Sequence, residues 1–384
     1  MKSSYLIILF LLFGPILDVT SFYGLPISIV VRGVFLASIT LYLIIKKKDL
    51  KIVIPLLIFS IISFMYQFLY LKFGLMNSVS SILKFLYLPI SIIYFKDYVF
   101  PVKEEKVFTT ILFTYVGIYL LSYITGIGAD AYLESDGKSG FKGLFSSINE
   151  FSAILIGLLP IVCSYLKNNK RYILMSLIIV LVLICSLLIG TKVLMGGVIF
   201  CIGYLLFQER ERLFFKRSKS VKIGIIVSMI TILIIGCFLF TKTRTYQNMV
   251  VQNDFFKVES VFSLDFVNRV VYNNRLTFLS ENFDYFKDQN IGNILLGIGI
   301  ADYDIKMVEI DLFDIIFRYG IIGIIIYGYS LVSTIKLKKI STEQKISLIL
   351  FLVISLTSGH VLIYPAVCIY IGVISNSFKS MIKS

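Results

Sequence analysis

The residues best suited to chemistry stand at the end of one long polar segment. The stretch reads Glu309-Ile-Asp311-Leu-Phe-Asp314-Ile-Ile-Phe-Arg318-Tyr-Gly320. A helix starting near Asp311 places Asp311, Asp314 and Arg318 at i, i+3 and i+7 on one face, with Asp314 and Arg318 close enough to pair. Negative charge is favoured at a helix start, and pairing is how charges survive inside a membrane span. The carboxylates of Glu309, Asp311 and Asp314 are candidates to take a proton from a sugar hydroxyl, with Arg318 tuning Asp314. The plainer reading is a capped helix start with one structural ion pair.

Four cations are candidates to bind a lipid diphosphate: Arg32, Lys192, Arg269 and Arg275. Arginine recognises phosphate oxygens bidentately. Arg269 and Arg275 would point ~120° apart on a continuous helix, so they share a target only if Asn273-Asn274 breaks it. Arg32 lies ~10 Å below one end of its span, too deep for easy escape to water, with Asp18 as a possible partner. Lys84 shares a polar face with Ser80, Tyr87 and Ser91; snorkelling is the simplest account of it. Asn149 and Glu150 precede an apolar run and are expected to cap that helix. Gly297 and Gly299 form a flexible turn, but a GxG without a βαβ pattern is no nucleotide signature.

These residues sit in a chain that is 58% hydrophobic and 16% charged over 384 residues. Such a composition needs a membrane, since each crossing helix takes ~20 apolar residues and satisfies its own backbone in lipid. Twelve apolar runs are candidate spans: 4–21, 25–45, 52–71, 79–95, 107–126, 150–166, 172–190, 193–207, 223–241, 312–335, 346–362 and 363–379. The expected fold is therefore an all-α polytopic membrane protein. Its divisions are nine helices over 1–241, a large extracytoplasmic loop over 242–311, and three helices over 312–384. Lys2 and the apolar run after it resemble a signal peptide, but no small-residue cleavage site follows, so a retained first helix is expected.

Lys and Arg concentrate in cytoplasmic loops. With the N-terminus inside, the inner segments hold 23 of the 37 basic residues. Both termini are then cytoplasmic and the long loop is outside. The basic balance reflects topology and gives no reason to expect nucleic acid. The five cysteines all lie in apolar runs, so no disulfide framework is implied. A single histidine, His360, excludes a His-rich metal site.

The motifs also occur in a telling order: Gly143 to Glu150 before a span, Gly190-Thr191-Lys192 between two spans, Arg275 followed by Gly297-Ile-Gly299, then Glu309 to Gly323. In this the chain resembles the O-antigen ligase/polymerase superfamily, and most closely its Wzy-type polymerases of capsular polysaccharide. The ligase branch usually carries a His near the end of the large loop, where this chain has Glu309 and Asp311. Lys192 stands where the family often has Arg.

The resemblance implies a GT-C-like helical glycosyltransferase of the cytoplasmic membrane that needs no metal or other cofactor. It would join undecaprenyl-diphosphate-linked repeat units on the outer face, alongside a flippase and a chain-length regulator. The alternatives are a ligase that moves polymer to another acceptor and a transporter of lipid-linked sugars. A transporter of inverted repeats should show matching halves, and the long loop has no counterpart in the first half.

Overall fold

The computed structural model describes residues 2–131, 140–208, 267–299 and 307–376, with the single positions 241, 246, 264 and 378. The apolar runs form helices: α1 (Lys2–Phe22), α2 (Ile27–Ile45), α3 (Leu50–Met65, continued as a π-helical turn over Tyr66–Tyr70), α4 (Leu75–Phe95) and α5 (Glu104–Thr125). After these come α6 (Ile148–Asn168), α7 (Tyr172–Ile189) and α8 (Lys192–Gln208). Beyond residue 266 the described elements are a π-helical turn (Val267–Val271), α9 (Arg275–Lys287), α10 (Ile291–Leu296), α11 (Asp311–Thr334), α12 (Thr342–Thr357) and α13 (Pro365–Ile374).

Eight of the described helices are long and apolar enough to cross a membrane, so the protein is a polytopic, multi-pass membrane protein. The count differs from twelve for local reasons. α8 has 17 residues and α13 only 10, and α12 ends at Thr357, eight residues before Pro365. The expected span 223–241 lies, but for Thr241, outside the described residues, as does most of 242–266. A short antiparallel ribbon of β1 (Ala129–Asp130) and β2 (Phe141–Gly143) departs from a purely helical fold. Gly128 and Gly143 make it possible, since a Cβ on Gly128 would lie 2.6 Å from the Gly143 backbone.

α6 and α4 form the centre. Of their apolar stretches, 72% of α6 is buried against 28% of α7. α6 packs against α5, α12, α7 and α8, while α4 packs against α13, α2, α3 and α11. The peripheral helices turn large apolar side chains outward, such as Leu6, Leu9, Phe13, Val34 and Leu41 on α1 and α2, and Ile54, Ile58 and Ile61 on α3. That is the distribution a lipid-facing surface requires. The described cysteines, Cys163, Cys185, Cys201 and Cys368, are buried and free.

Polar contacts mark two ends of the bundle. At one, Lys167 at the end of α6 and Gln208 at the end of α8 bond each other, and Gln208 also bonds Glu343 in the first turn of α12. Gln344 reaches the Ile374 and Asn376 carbonyls at the end of α13. α12 and α13 are thus an antiparallel hairpin. The turn between them, 358–364, lies at the other end, beside the starts of α6 and α11.

Candidate active site at the end of the bundle

The 358–364 turn is the organising element. Asp311, in the first turn of α11, is fully buried. Its Oδ1 accepts from the His360 N–H at 2.7 Å, and its Oδ2 accepts from Val361 at 2.8 Å and Leu362 at 2.7 Å. Three backbone donors on one carboxyl group fix the turn onto α11. Asn149, on the first turn of α6, donates to the Ser358 carbonyl at 3.0 Å. The expected capping role belongs instead to Ser147, which accepts from the Glu150 N–H; an N-cap must precede the helix, and Asn149 already lies within it.

Glu309 and Arg275 meet across this turn. Arg275 begins α9 because Asn273 and Asn274 adopt left-handed φ of 53° and 65°, ending the preceding π-helical turn. The break on which a common target for Arg269 and Arg275 depends is therefore present. Arg275 Nη2 donates to Glu309 Oε2 at 2.6 Å, and its Nη1 donates to the Thr357 carbonyl at 2.9 Å. Glu309 itself has a left-handed φ of 57° and packs its backbone against Gly359.

α11 is broken inside the membrane-crossing run. Gly320 sits at φ 69°, ψ −172°. The break frees the Phe317 carbonyl, which accepts from the Ile298 N–H at 2.8 Å. Gly297 fits against this point because it lacks a side chain: a Cβ there would lie 2.2 Å from the Arg318 carbonyl oxygen, and one on Gly320 would lie 2.3 Å from that of Leu295. The Gly297-Ile298-Gly299 segment is thus a backbone docking site on α11, and Gly299 lies against the Phe73 ring.

Asp314 and Arg318 are both buried, yet they form no ion pair. The expected pairing is corrected. Arg318 directs Nη2 to Met307 Sδ at 2.7 Å, while its Nη1 is buried without a hydrogen-bond partner. Lys84 does not run along the surface as snorkelling would require. Its ammonium sits 5.1 Å from the centre of the Tyr364 ring, inside the bundle.

Arg32 pairs with Asp18 at 2.5 Å and with Ser28 Oγ at 2.7 Å. Tyr115 closes the group by donating to the other Asp18 oxygen. The charges of Asp18, Arg32 and Lys84 all act on Glu150, which shares a crevice with Asp18, Phe145 and Ser147. Lys192 starts α8 after the left-handed Gly190, and Arg269 lies half-buried on the π-helical turn before α9. The bonds joining Arg275, Glu309, Asp311 and Asn149 through the 358–364 turn do not include either of these two.

Sequence reasoning missed His360. It lies on the turn, outside the spanning helices, with its ring 4.3 Å from that of Tyr364 and Nδ1 buried without a partner. Burial, joined by the Arg275, Arg318 and Lys84 charges, pushes it down to about 4 despite Glu309. At neutral pH it is an uncharged imidazole. No spacing signal links residue 360 to 309–311; only the closing of α12 onto α13 does.

A family model described as "O-antigen ligase like membrane protein" matches residues 2–263 and 252–381. The chain belongs to that family. Neither a curated protein nor a solved structure matches it. O-antigen-ligase-like membership marks a polysaccharide-related membrane enzyme with a glycosyl-transfer type of activity.

Proposed function

We propose that this protein polymerises undecaprenyl-diphosphate-linked oligosaccharide repeat units on the outer face of the cytoplasmic membrane. The observation that carries the reading is the Arg275–Glu309 pair, held over the Asp311-anchored turn at the end of a membrane-spanning bundle. The acceptor sugar hydroxyl attacks the donor's anomeric carbon, that carbon's bond to the diphosphate oxygen breaks, and undecaprenyl diphosphate leaves. The hydroxyl proton passes to a carboxylate.

Glu309 suits the proton acceptor's part. Its carboxylate is more than a third exposed while paired with Arg275, so substrate can reach it. Asp314, in the same charged group, is a second candidate. Asp311 acts as a positioning residue, since both of its oxygens are occupied by backbone donors. Arg275, with Arg269, Arg32 and Lys192 at the same end, supplies positive charge that favours a departing diphosphate. The reaction needs no metal, and the partners are the lipid-linked glycans, a flippase that delivers them and a chain-length regulator.

The test is polymer formation by purified protein in liposomes given lipid-linked repeats already on the accessible face. Wild type is expected to make polymer and Arg275→Ala to leave single repeats. Transfer of finished polymer to another acceptor, with no lengthening, would identify a ligase; transbilayer movement alone would identify a transporter.

A further inference from the structure

Two of the four cations enclosed in the site are compensated. Arg32 is bonded to Asp18, and Arg275 to Glu309. Arg318, which is buried, and Lys84, which is half-buried, are not. Arg318 is 4% exposed, and neither it nor Lys84 makes an ion pair among the described residues. The two side chains come from neighbouring helices, α11 and α4, which are joined by Tyr319 Oη donating to the Ser81 carbonyl at 2.7 Å. Tyr319 follows Arg318 and Ser81 lies about one helical turn before Lys84, so this bond sets the two cations beside one helix contact.

Burying a cation without a bonded counter-ion costs several kcal/mol, and a second like charge within range adds to that cost. Asp311 and Asp314 lie within electrostatic range of Arg318, and Glu150 within range of Lys84, but none bonds either cation. The N–H groups of Arg318 have poor partners: Nη2 faces the Met307 thioether, a weak acceptor, and Nη1 has none. Nearby, the Tyr364 ring carries Lys84 at its face and lies tilted by 30° against His360, whose Nδ1 is also without a partner. An anion entering here would relieve the repulsion and give the Arg318 donors an acceptor.

We infer that Arg318 and Lys84 form a subsite for a phosphate oxyanion, which takes the diphosphate of a lipid-linked substrate. The inference rests on the proposed transferase reading for its substrate class. It shifts diphosphate recognition from the paired Arg32 and Arg275 to two cations that have charge to spare. Guanidinium supplies the fork that phosphate oxygens fit, and the ammonium supplies a point charge.

The experiment uses the full chain in phosphatidylcholine nanodiscs, with labelled inorganic pyrophosphate and farnesyl diphosphate as probes. Arg318→Met and Lys84→Met are each expected to weaken binding at least tenfold, with Arg318→Lys recovering part of the loss. An effect on farnesyl diphosphate alone supports a lipid-borne phosphate; an effect on both probes supports recognition of the diphosphate itself. Wild-type protein that binds neither probe, or unchanged affinity for both probes in the variants, overturns the subsite. Equal competition by phosphatidylglycerol overturns it too, by reducing it to general headgroup binding. Where Arg318→Met fails to fold, the half-buried Lys84→Met decides the result.

A transfer assay separates the two readings. Wild-type protein that binds diphosphate through Arg318 yet makes no polymer refutes the transferase and keeps the subsite. Variants that polymerise with unchanged KM refute the subsite and keep the transferase.

Discussion

Arg275 holds Glu309 and the carbonyl of Thr357 at once, so one guanidinium joins the polar segment to the end of α12. Its Nε is buried without a partner. The pair is therefore a structural clasp as well as a charged group in the candidate site, and its two roles separate by experiment.

Arg275→Ala, Glu309→Gln and the double variant form a cycle. A coupling energy of about 1–3 kcal/mol is expected in thermal unfolding of the detergent-solubilised protein, as for residues in one ion-pair network. Strict additivity would show that the contact contributes nothing. Polymer formation should fall in both single variants, and Arg275→Lys should restore stability better than activity, because lysine keeps charge without the fork.

Asp311→Asn replaces an all-acceptor group with one that presents an N–H to a backbone N–H. A loss of roughly 2–4 kcal/mol is expected, given three hydrogen bonds to a buried carboxylate. The measurement is unfolding temperature. Stability equal to wild type would mean that the 358–364 turn does not depend on Asp311.

Gly297→Ala and Gly320→Ala each force a Cβ into backbone oxygen at 2.2–2.3 Å, at positions with positive φ. Each should cost more than about 2 kcal/mol. The double variant should cost less than the sum, because both disturb the same contact. Limited proteolysis at the 297–299 segment provides the readout alongside melting.

His360 gives the pH prediction. In the unfolded chain it takes a proton near its ordinary value of ~6.5, whereas in the folded protein it resists protonation down to about 4. The unfolded state therefore binds more protons between these values, and its share of stability is lost as pH falls from about 6.5 toward 4. Above that window the contribution is complete and flat. His360→Gln should flatten this part of a melting-temperature profile, and an unchanged slope in the variant would remove His360 as the cause. No inflection near 6.5 in the pH–rate profile should belong to this residue.

The helices were legible because apolar runs bounded by glycine, proline and lysine leave few other choices. The start of α11 at Asp311 and the pairing of Arg32 with Asp18 follow from charge in a costly place. Asp314 and Arg318 show where such reading stops. Their spacing allows a pair, but the break at Gly320 and the packing of Met307 direct the guanidinium elsewhere, and neither is visible in helical periodicity. Asn149 was read as a local cap although its partner, Ser358, is 209 residues away. His360 stands far from 309–311 along the chain, a separation that the α12–α13 hairpin cancels.

That hairpin has a consequence for biosynthesis. Asp311 obtains its donors, and Asn149 and Arg275 their carbonyl partners, from residues 357–362, which leave the ribosome after Asn149, Arg275, Glu309 and Asp311. Until they are in place, α11 carries a buried carboxylate with nothing to bond it. The site is thus completed last, and a nascent chain halted before this turn lacks the contacts that hold the charged groups together.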